Sequence, residues 1–168
     1  MFRGKSSRRG STLIEFSLIG IPLILSSVAV VAVALDMWQF HTLAFGTQTT
    51  TRFIAMHGRD CAQNGSTCTL TLDDIETFFA SHAIALDPSQ AVLTLRSATA
   101  VATCNPLKSC AGNMTQFPSA TDNGVNFDIT LTATYPVTNP AAMMLPGTSR
   151  TGVSTYNLFA MSRQRITF

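Results

Sequence analysis

Charged side chains are scarce in this sequence. Asp, Glu, Lys and Arg together make up 12% of its 168 residues, against about a quarter in an average soluble domain. Four of the 11 basic residues lie in the first ten positions, which leaves seven basic and nine acidic side chains after Gly10. This slightly acidic remainder excludes the basic footprint of a nucleic-acid-binding protein, and we expect no nucleic-acid partner.

Signals for catalysis or metal binding are also lacking. The three histidines His41, His57 and His82 do not have a metal-ligand spacing such as H-E-x-x-H, and the chain has neither a G-x-S-x-G elbow nor a P-loop. A Cys–His nucleophile is the remaining enzymatic option, but an even number of cysteines in loop-like pairs favours bridges. We therefore predict that the protein is not an enzyme and has no catalytic residue, metal or cofactor, and that His82 is packed.

One long apolar segment is present. Residues 16–35 contain no ionisable side chain, and these 20 residues would form ~30 Å of helix, the thickness of a hydrocarbon core. A buried helix of a soluble protein is the alternative, although such helices rarely run so long without a charge. Asp36 follows the segment, and the next basic residue is Arg52. The basic residues before it are Arg3, Lys5, Arg8 and Arg9.

This charge distribution orients the helix. Because basic residues stay on the cytoplasmic side, the N-terminus is expected in the cytoplasm and the later residues beyond the membrane. Trp38 and Phe40 lie where aromatic residues favour the far interface. No A-x-A-like signal-peptidase site follows the segment, so any cleavage signal lies before it. Gly10 lies at that polar–apolar border, and its missing side chain suits close approach of a protease. Gly10 and Ser11 are therefore the predicted processing site.

Glu15 allows two interpretations. A carboxylate at the membrane end of a spanning helix is costly and usually has a partner. It can be a first-turn acid, which the helix dipole favours. Alternatively, cleavage after Gly10 creates an α-amino group at Ser11, and a neighbouring subunit could place that ammonium against Glu15. Glu15 and Phe16 would then be subunit-pairing residues.

The same residues resemble those of type IV pilin and pseudopilin precursors, and more closely those of TadE-like minor pseudopilins of the tight-adherence (Flp, type IVb) pilus system. The resemblance covers about 50 residues: Arg8-Arg9-Gly10, then Glu15-Phe16 with Glu fifth after the glycine, then Pro22, and more loosely residues 47–55. Ser11, where classical pilins carry Met or an aromatic residue, and Phe16, where the major Flp pilin has tyrosine, point to the minor members. Pro22 can kink the helix or be merely tolerated there. TadF-like relatives remain an option.

The resemblance implies a function. A membrane-embedded aspartyl prepilin peptidase would cleave after Gly10, so the chain would be that peptidase's substrate. Its partners would be the membrane, other pilins and pseudopilins, and the tight-adherence assembly machinery. Its location would be the bacterial inner membrane with the C-terminal domain in the periplasm, and an extracellular pilus is a further destination. Pilus assembly, adhesion or secretion would be the process served.

A plain signal anchor is the alternative. In that case the leader is not cleaved, the periplasmic domain binds some other partner, and Gly10 and Glu15 are incidental.

The four cysteines agree with export. Cys61, Cys68, Cys104 and Cys110 all follow the apolar segment and allow three pairings. The local pairing, Cys61–Cys68 with Cys104–Cys110, needs only small loops and is preferred. Zinc is the rival, but zinc-ligand pairs are usually separated by two to four residues, and these pairs are separated by six and five.

The expected fold is α+β and pilin-like. Residues 1–10 form the leader, 11–58 a long helix with its transmembrane part at 16–35, and 59–168 an exported domain. Within that domain a second helix is expected at 73–86, capped by Asp73 and Glu76, with Ile75, Phe78, Phe79, Ala83 and Leu86 buried. An antiparallel sheet is expected from strands at 91–97, 125–137 and 154–167, with a threonine-rich outer face. Residues 98–124 and 138–152 are predicted loops; the apolar tip at 141–146 would contact another subunit or plug the core.

Overall fold

The computed structural model describes residues 9–58, 69–138 and 155–167, with side chains from residue 13 onward. The chain divides into two compact units. The first contains the beginning of the N-terminal helix, up to Asp36, and the second begins at Met37 and contains the other described elements.

A helix of 48 residues, α1 (Arg9–Met56), contains the predicted apolar segment. At 1.5 Å per residue it is ~72 Å long. Pro22 lies inside it. Its serine hydroxyls find acceptors within the helix: Ser17 donates to the Leu13 carbonyl and Ser27 to the Leu23 carbonyl, at 2.9 and 2.8 Å. The helix closes with a tighter turn in which the His57 amide donates to the Ile54 carbonyl, and Gly58 follows.

The last part of α1 has a buried face at helical spacing. Leu43, Thr47, Thr50 and Ile54 are each at most 1% exposed. Gly46 lies on the same side, and a Cβ there would be 3.2 Å from the Cβ of Ala83. A larger residue there would have to displace the end of the second helix by a few tenths of an ångström.

The second helix, α2 (Leu72–His82), is shorter than predicted and begins with a different cap. Thr71 is the N-cap: its hydroxyl accepts from the Asp74 amide at 3.2 Å, and the Asp74 carboxylate accepts from the Thr71 amide at 2.9 Å. The predicted Asp73–Glu76 cap is wrong, because the extended backbone that a cap requires occurs at Thr71. The helix ends before Ala83, whose ψ of 50° lies outside the helical region. Leu86 is buried as predicted, but it belongs to the turn after the helix.

The described part of the chain forms an antiparallel sheet of four strands. The three predicted strands are present as β1 (Val92–Arg96), β3 (Asp128–Thr138) and β4 (Thr155–Arg165). The structure adds β2 (Val101–Cys104) inside the predicted loop 98–124, joined to β1 by a tight turn in which the Ser97 amide donates to the Ala100 carbonyl. The order in the sheet is β2-β1-β3-β4. The strand β3 begins later than predicted because Asn126 has a φ of 73°, which leaves Val125 and Phe127 outside the strand and exposed.

The two faces of the sheet differ as the alternating sequence predicts. Alternate residues of β1 and β3 are buried in one core with α2 and the end of α1, as Leu95, Leu131, Phe79 and Leu43 illustrate. The opposite face carries threonines, which are half-buried: Thr94, Thr130, Thr132 and Thr134. An α+β fold with a long apolar helix and an antiparallel sheet is thus confirmed.

One predicted disulfide is present. Cys104 ends β2 and is bonded to Cys110, the last residue of a 3-10 helix (Leu107–Cys110), with a Cα–Cα distance of 5.4 Å. Cys61 and Cys68 lie outside the described residues, as does the apolar tip at 141–146.

Candidate membrane and assembly helix

The first part of α1 exposes its large apolar side chains. Phe16 and Leu18 are each 74% exposed. Ala32 is buried. Between residues 13 and 35 the exposed large apolar residues are Leu13, Ile14, Phe16, Leu18, Ile19, Ile21, Leu23, Ile24, Leu25, Val30, Val31, Val33 and Leu35. A continuous apolar surface of this kind needs a covering other than water.

Contact of these apolar side chains with water is energetically unfavourable. Each side chain of this type loses about 1.5–3 kcal/mol of stabilisation if it remains in water rather than in an apolar environment. Soluble monomers rarely expose apolar patches larger than a few hundred Å². Lipid tails or the apolar helices of other chains are the coverings that match a surface without charge.

The helix has the dimensions that a membrane requires. Among the described residues, it is the one helix long and apolar enough to span a bilayer by length and composition. A helix bonds its backbone groups internally, as a hydrocarbon core demands, and Pro22 removes only one donor, which membrane helices tolerate. The serine hydroxyls bond to carbonyls of the same helix, so they add no unsatisfied donor.

The residues predicted for processing and pairing lie in the first two turns of α1. The helix begins at Arg9, so Gly10 and Ser11 lie within its first turn. No acidic residue lies in that turn, and Glu15 follows in the second turn, exposed beside Phe16. Both interpretations of Glu15, as a first-turn acid and as a pairing residue, stay predictions. A processing site and a pairing site remain predictions for these residues.

The helix geometry relates Ser11 to Glu15. They are four residues apart and thus lie on the same helix face, separated by ~6 Å along the axis. Helical side chains lean towards the N-terminus. An α-amino group at Ser11 would therefore be within one turn of Glu15 in the same chain, as well as being available to a neighbouring chain.

Two histidines of the second unit, His57 and His82, are packed against aromatic rings. His82 lies 4.2 Å from the Phe78 ring, centroid to centroid, and its Nδ1 is 2.9 Å from the Phe78 carbonyl oxygen. The His57 ring lies 4.3 Å from the Phe53 ring, centroid to centroid, and its Nδ1 is 2.7 Å from the Phe53 carbonyl oxygen. Phe53 and Phe78 stack on each other at 4.0 Å, so the four rings join α1 to α2. Packing of His82 is thus as predicted.

One carboxylate of the described residues, that of Asp122, holds a turn of the fold. No group of three or more His, Cys, Asp or Glu side chains that could hold a metal is found in the described part of the chain. Asp122, which the sequence did not single out, accepts from the Ser97 hydroxyl at 2.5 Å and from the Thr99 amide at 2.8 Å. The Ser97 hydroxyl bond, followed by the Thr99 amide bond, lowers the pKa of Asp122. Through these bonds the Asp122 carboxylate holds the turn between β1 and β2.

The pKa of Glu76 is shifted in the opposite direction from that of Asp122. Glu76 is buried on α2, and burial, together with the nearby charge of Asp73, raises the pKa of its carboxyl group.

Comparisons with known proteins return no relative: no family model, no curated protein and no solved structure matches the chain.

Proposed function

We propose that this chain is the precursor of a TadE-like minor pseudopilin, a membrane subunit that takes part in tight-adherence pilus assembly. The observation that carries the proposal is the division of one continuous helix into two kinds of surface. Residues 13–35 of α1 expose apolar side chains suited to lipid or to other helices, and residues 43–56 are packed into an α+β domain. A subunit that is stored in a membrane and then bundled with others needs both.

In this proposal the first unit acts before and during assembly. A prepilin peptidase removes residues 1–10 at the cytoplasmic face of the inner membrane. The new N-terminus at Ser11 then begins the helix, and Glu15 becomes the fifth residue. Removal of the leader also removes four positive charges, which would otherwise oppose withdrawal of the helix from the membrane.

Glu15 makes helix bundling electrostatically tolerable. A carboxylate in an apolar bundle requires a compensating charge. The Ser11 ammonium of a neighbouring subunit supplies it, and the one-turn spacing within a chain allows the ammonium to pair first within its own subunit. When the subunit enters the assembly, its Ser11 ammonium would leave Glu15 of its own chain and pair with Glu15 of a neighbouring subunit.

The second unit faces the exported side. The Cys104–Cys110 disulfide supports this assignment, because disulfides persist mainly in oxidising compartments such as the periplasm. Local closure of a short loop stabilises by about 2–3 kcal/mol in the chain-entropy model.

A plain signal anchor is the second candidate, and one observation favours it. The Gly10–Ser11 bond lies within the first turn of α1, so a peptidase must open that turn before cleavage. The first turn of a helix frays easily, and glycine costs ~1 kcal/mol of helix stability relative to alanine. Opening at Gly10 is therefore cheap, and the pseudopilin assignment retains preference.

Processing is tested by the mass of the membrane-extracted protein. Gly10→Trp places a large side chain at the scissile bond and should leave a precursor longer by the ten leader residues, whereas Gly4→Trp, elsewhere in the leader, should give the wild-type mature mass. Equal masses for Gly10→Trp and wild type would refute cleavage at this bond.

Assembly is tested separately by Glu15→Ala. We expect normal membrane insertion with loss of pili, because the α-amino group loses its partner, and we expect Ser17→Ala, two residues further along the helix, to assemble normally. Wild-type pilus numbers in the Glu15→Ala strain would refute the pairing role.

A further inference from the structure

Strand register brings two arginines of distant sequence position to one cleft. Arg96 of β1 is paired with Thr130 of β3, and Thr130 is paired with Arg163 of β4. Leu95 and Leu131, the preceding and following residues, are buried, so this row lies on the outer face of the sheet. The two arginines thus flank one threonine, with Cα atoms about 10 Å apart across two strand spacings.

The cleft has the volume of a small-molecule site. It encloses about 500 Å³, within the ~300–1,000 Å³ typical of ligand pockets. Besides the row Arg96–Thr130–Arg163, its lining includes Ser97, Asn126 and Phe127. Gly124 lets the Phe127 ring lie close, since a Cβ there would be 3.1 Å from it. The Phe127 side chain is left 37% exposed.

The charges of the cleft are unevenly compensated. Asp128 accepts from Nη2 of Arg163 at 2.5 Å and from Nε of Arg165 at 3.2 Å. The hydrogen bond from Arg163, followed by that from Arg165, lowers the pKa of Asp128, which keeps it ionised and holds both guanidinium groups in place. Arg96 has no ion pair among the described residues. Two arginines and one carboxylate therefore line the cleft.

We propose that this cleft binds a carboxylate-bearing saccharide, with the acid group held above Thr130 between Arg96 and Arg163. Guanidinium groups bind carboxylates through paired, charge-assisted hydrogen bonds. The hydroxyl of Thr130 and the amide of Asn126 match sugar hydroxyls, and the Phe127 ring offers a face for the apolar side of a pyranose. An acidic peptide would use the arginines but would leave Thr130, Asn126 and the Phe127 ring with fewer partners. The site lies wholly in the second unit and does not depend on the assembly role.

The test uses the full chain in detergent micelles, titrated calorimetrically with a short oligogalacturonate. We expect binding that weakens as salt rises, because screening weakens exposed charge pairs. Neutral oligogalactose, which lacks only the acid groups, should not bind. Equal binding of the two sugars would overturn the proposal.

Variants locate the site. Arg96→Gln, on an exposed side chain without a partner carboxylate, should weaken oligogalacturonate binding by about ten- to a hundredfold, and Arg96→Lys should weaken it less. Arg52→Gln, an exposed arginine of α1 outside the cleft, should bind as wild type. Unchanged affinity in Arg96→Gln, with an unchanged melting temperature, would refute the site.

A third probe separates saccharide from peptide. Short poly-glutamate should bind at least tenfold more weakly than the uronate oligomer of equal charge, and Phe127→Ala should reduce only the saccharide affinity. Equal affinity for both probes, or no effect of Phe127→Ala, would overturn the saccharide assignment.

Discussion

The two parts of α1 use different side chains for different surroundings. Between residues 13 and 35 the helix exposes leucine, isoleucine, valine and phenylalanine on almost every side. Between residues 43 and 55 its buried face consists of small or medium side chains, including three threonines and Gly46. A large, uniformly apolar surface suits contact with lipid or with the apolar helices of other chains. A face of small side chains with a glycine suits close packing against one fixed neighbour, here α2. The same secondary structure therefore serves two kinds of packing.

The largest expected contrast comes from one substitution made in both parts. Leu43→Ala should destabilise the second unit by about 2–5 kcal/mol, because Leu43 is fully buried and its removal leaves a cavity. Leu18→Ala, at a side chain that is 74% exposed, should leave the unfolding of that unit unchanged. Chemical denaturation in detergent, followed by tryptophan fluorescence, measures both. Equal losses would show that the two parts do not differ as described.

Glycine substitutions probe close packing in the same way. Gly46→Val should cost about 1–3 kcal/mol, since its Cβ would lie 3.2 Å from that of Ala83 and the branches add further overlap. Gly20→Val is the control, because its Cβ would meet only the Phe16 ring, at 3.6 Å. A neutral Gly46→Val would mean that the α1–α2 contact is loose.

Acid should affect the second unit through Asp122. Because hydrogen bonds from Ser97 and Thr99 lower its pKa below the ordinary value of 3.8, the unfolded chain binds a proton at higher pH than the folded chain does. Asp122 therefore contributes stability that is present above its unfolded pKa and is lost as the pH falls through the lower, folded pKa.

The matched variant isolates this carboxylate. Asp122→Asn should lower the unfolding free energy at pH 7 by about 1.5–3 kcal/mol, the range for hydrogen bonds to a charged group, and should flatten the decline of stability below pH 4. Thermal melts from pH 7 to pH 2.5 measure the stability of both proteins. If the stability of wild type and variant declines in parallel as the pH falls, Asp122 is not a source of the acid sensitivity.

The smallest effect is expected at a buried hydroxyl. Thr50 Oγ1 has no hydrogen-bond partner among the described residues, whereas Thr47 donates to the Leu43 carbonyl at 2.7 Å. Thr50→Val should therefore stabilise the second unit by about 1 kcal/mol, and Thr47→Val should not. If both variants lose stability equally, the Thr50 hydroxyl has a role that its surroundings do not reveal.

Local patterns predicted much of this fold, and long-range register accounts for what they missed. The uncharged segment predicted the long helix, and the alternation from Ile129 to Val137 predicted β3. The four-residue strand β2 is too short to show a period and lies among cysteine, proline and glycine. Asp73 and Glu76 have the spacing of a capping box, but the extended backbone that a cap requires occurs at Thr71. Asp122 and the Arg96–Arg163 cleft depend on pairing between distant segments, which one sequence does not display.

Processing can be tested most directly at the N-terminus of the protein. The chain should be expressed with an active prepilin peptidase and, separately, with a peptidase inactivated at its catalytic aspartates, then extracted from membranes and sequenced from its first residue. The account predicts Ser11 as the first residue with the active peptidase and the full leader with the inactive one. The same uncleaved start in both preparations would contradict the pseudopilin assignment and leave α1 as a plain anchor.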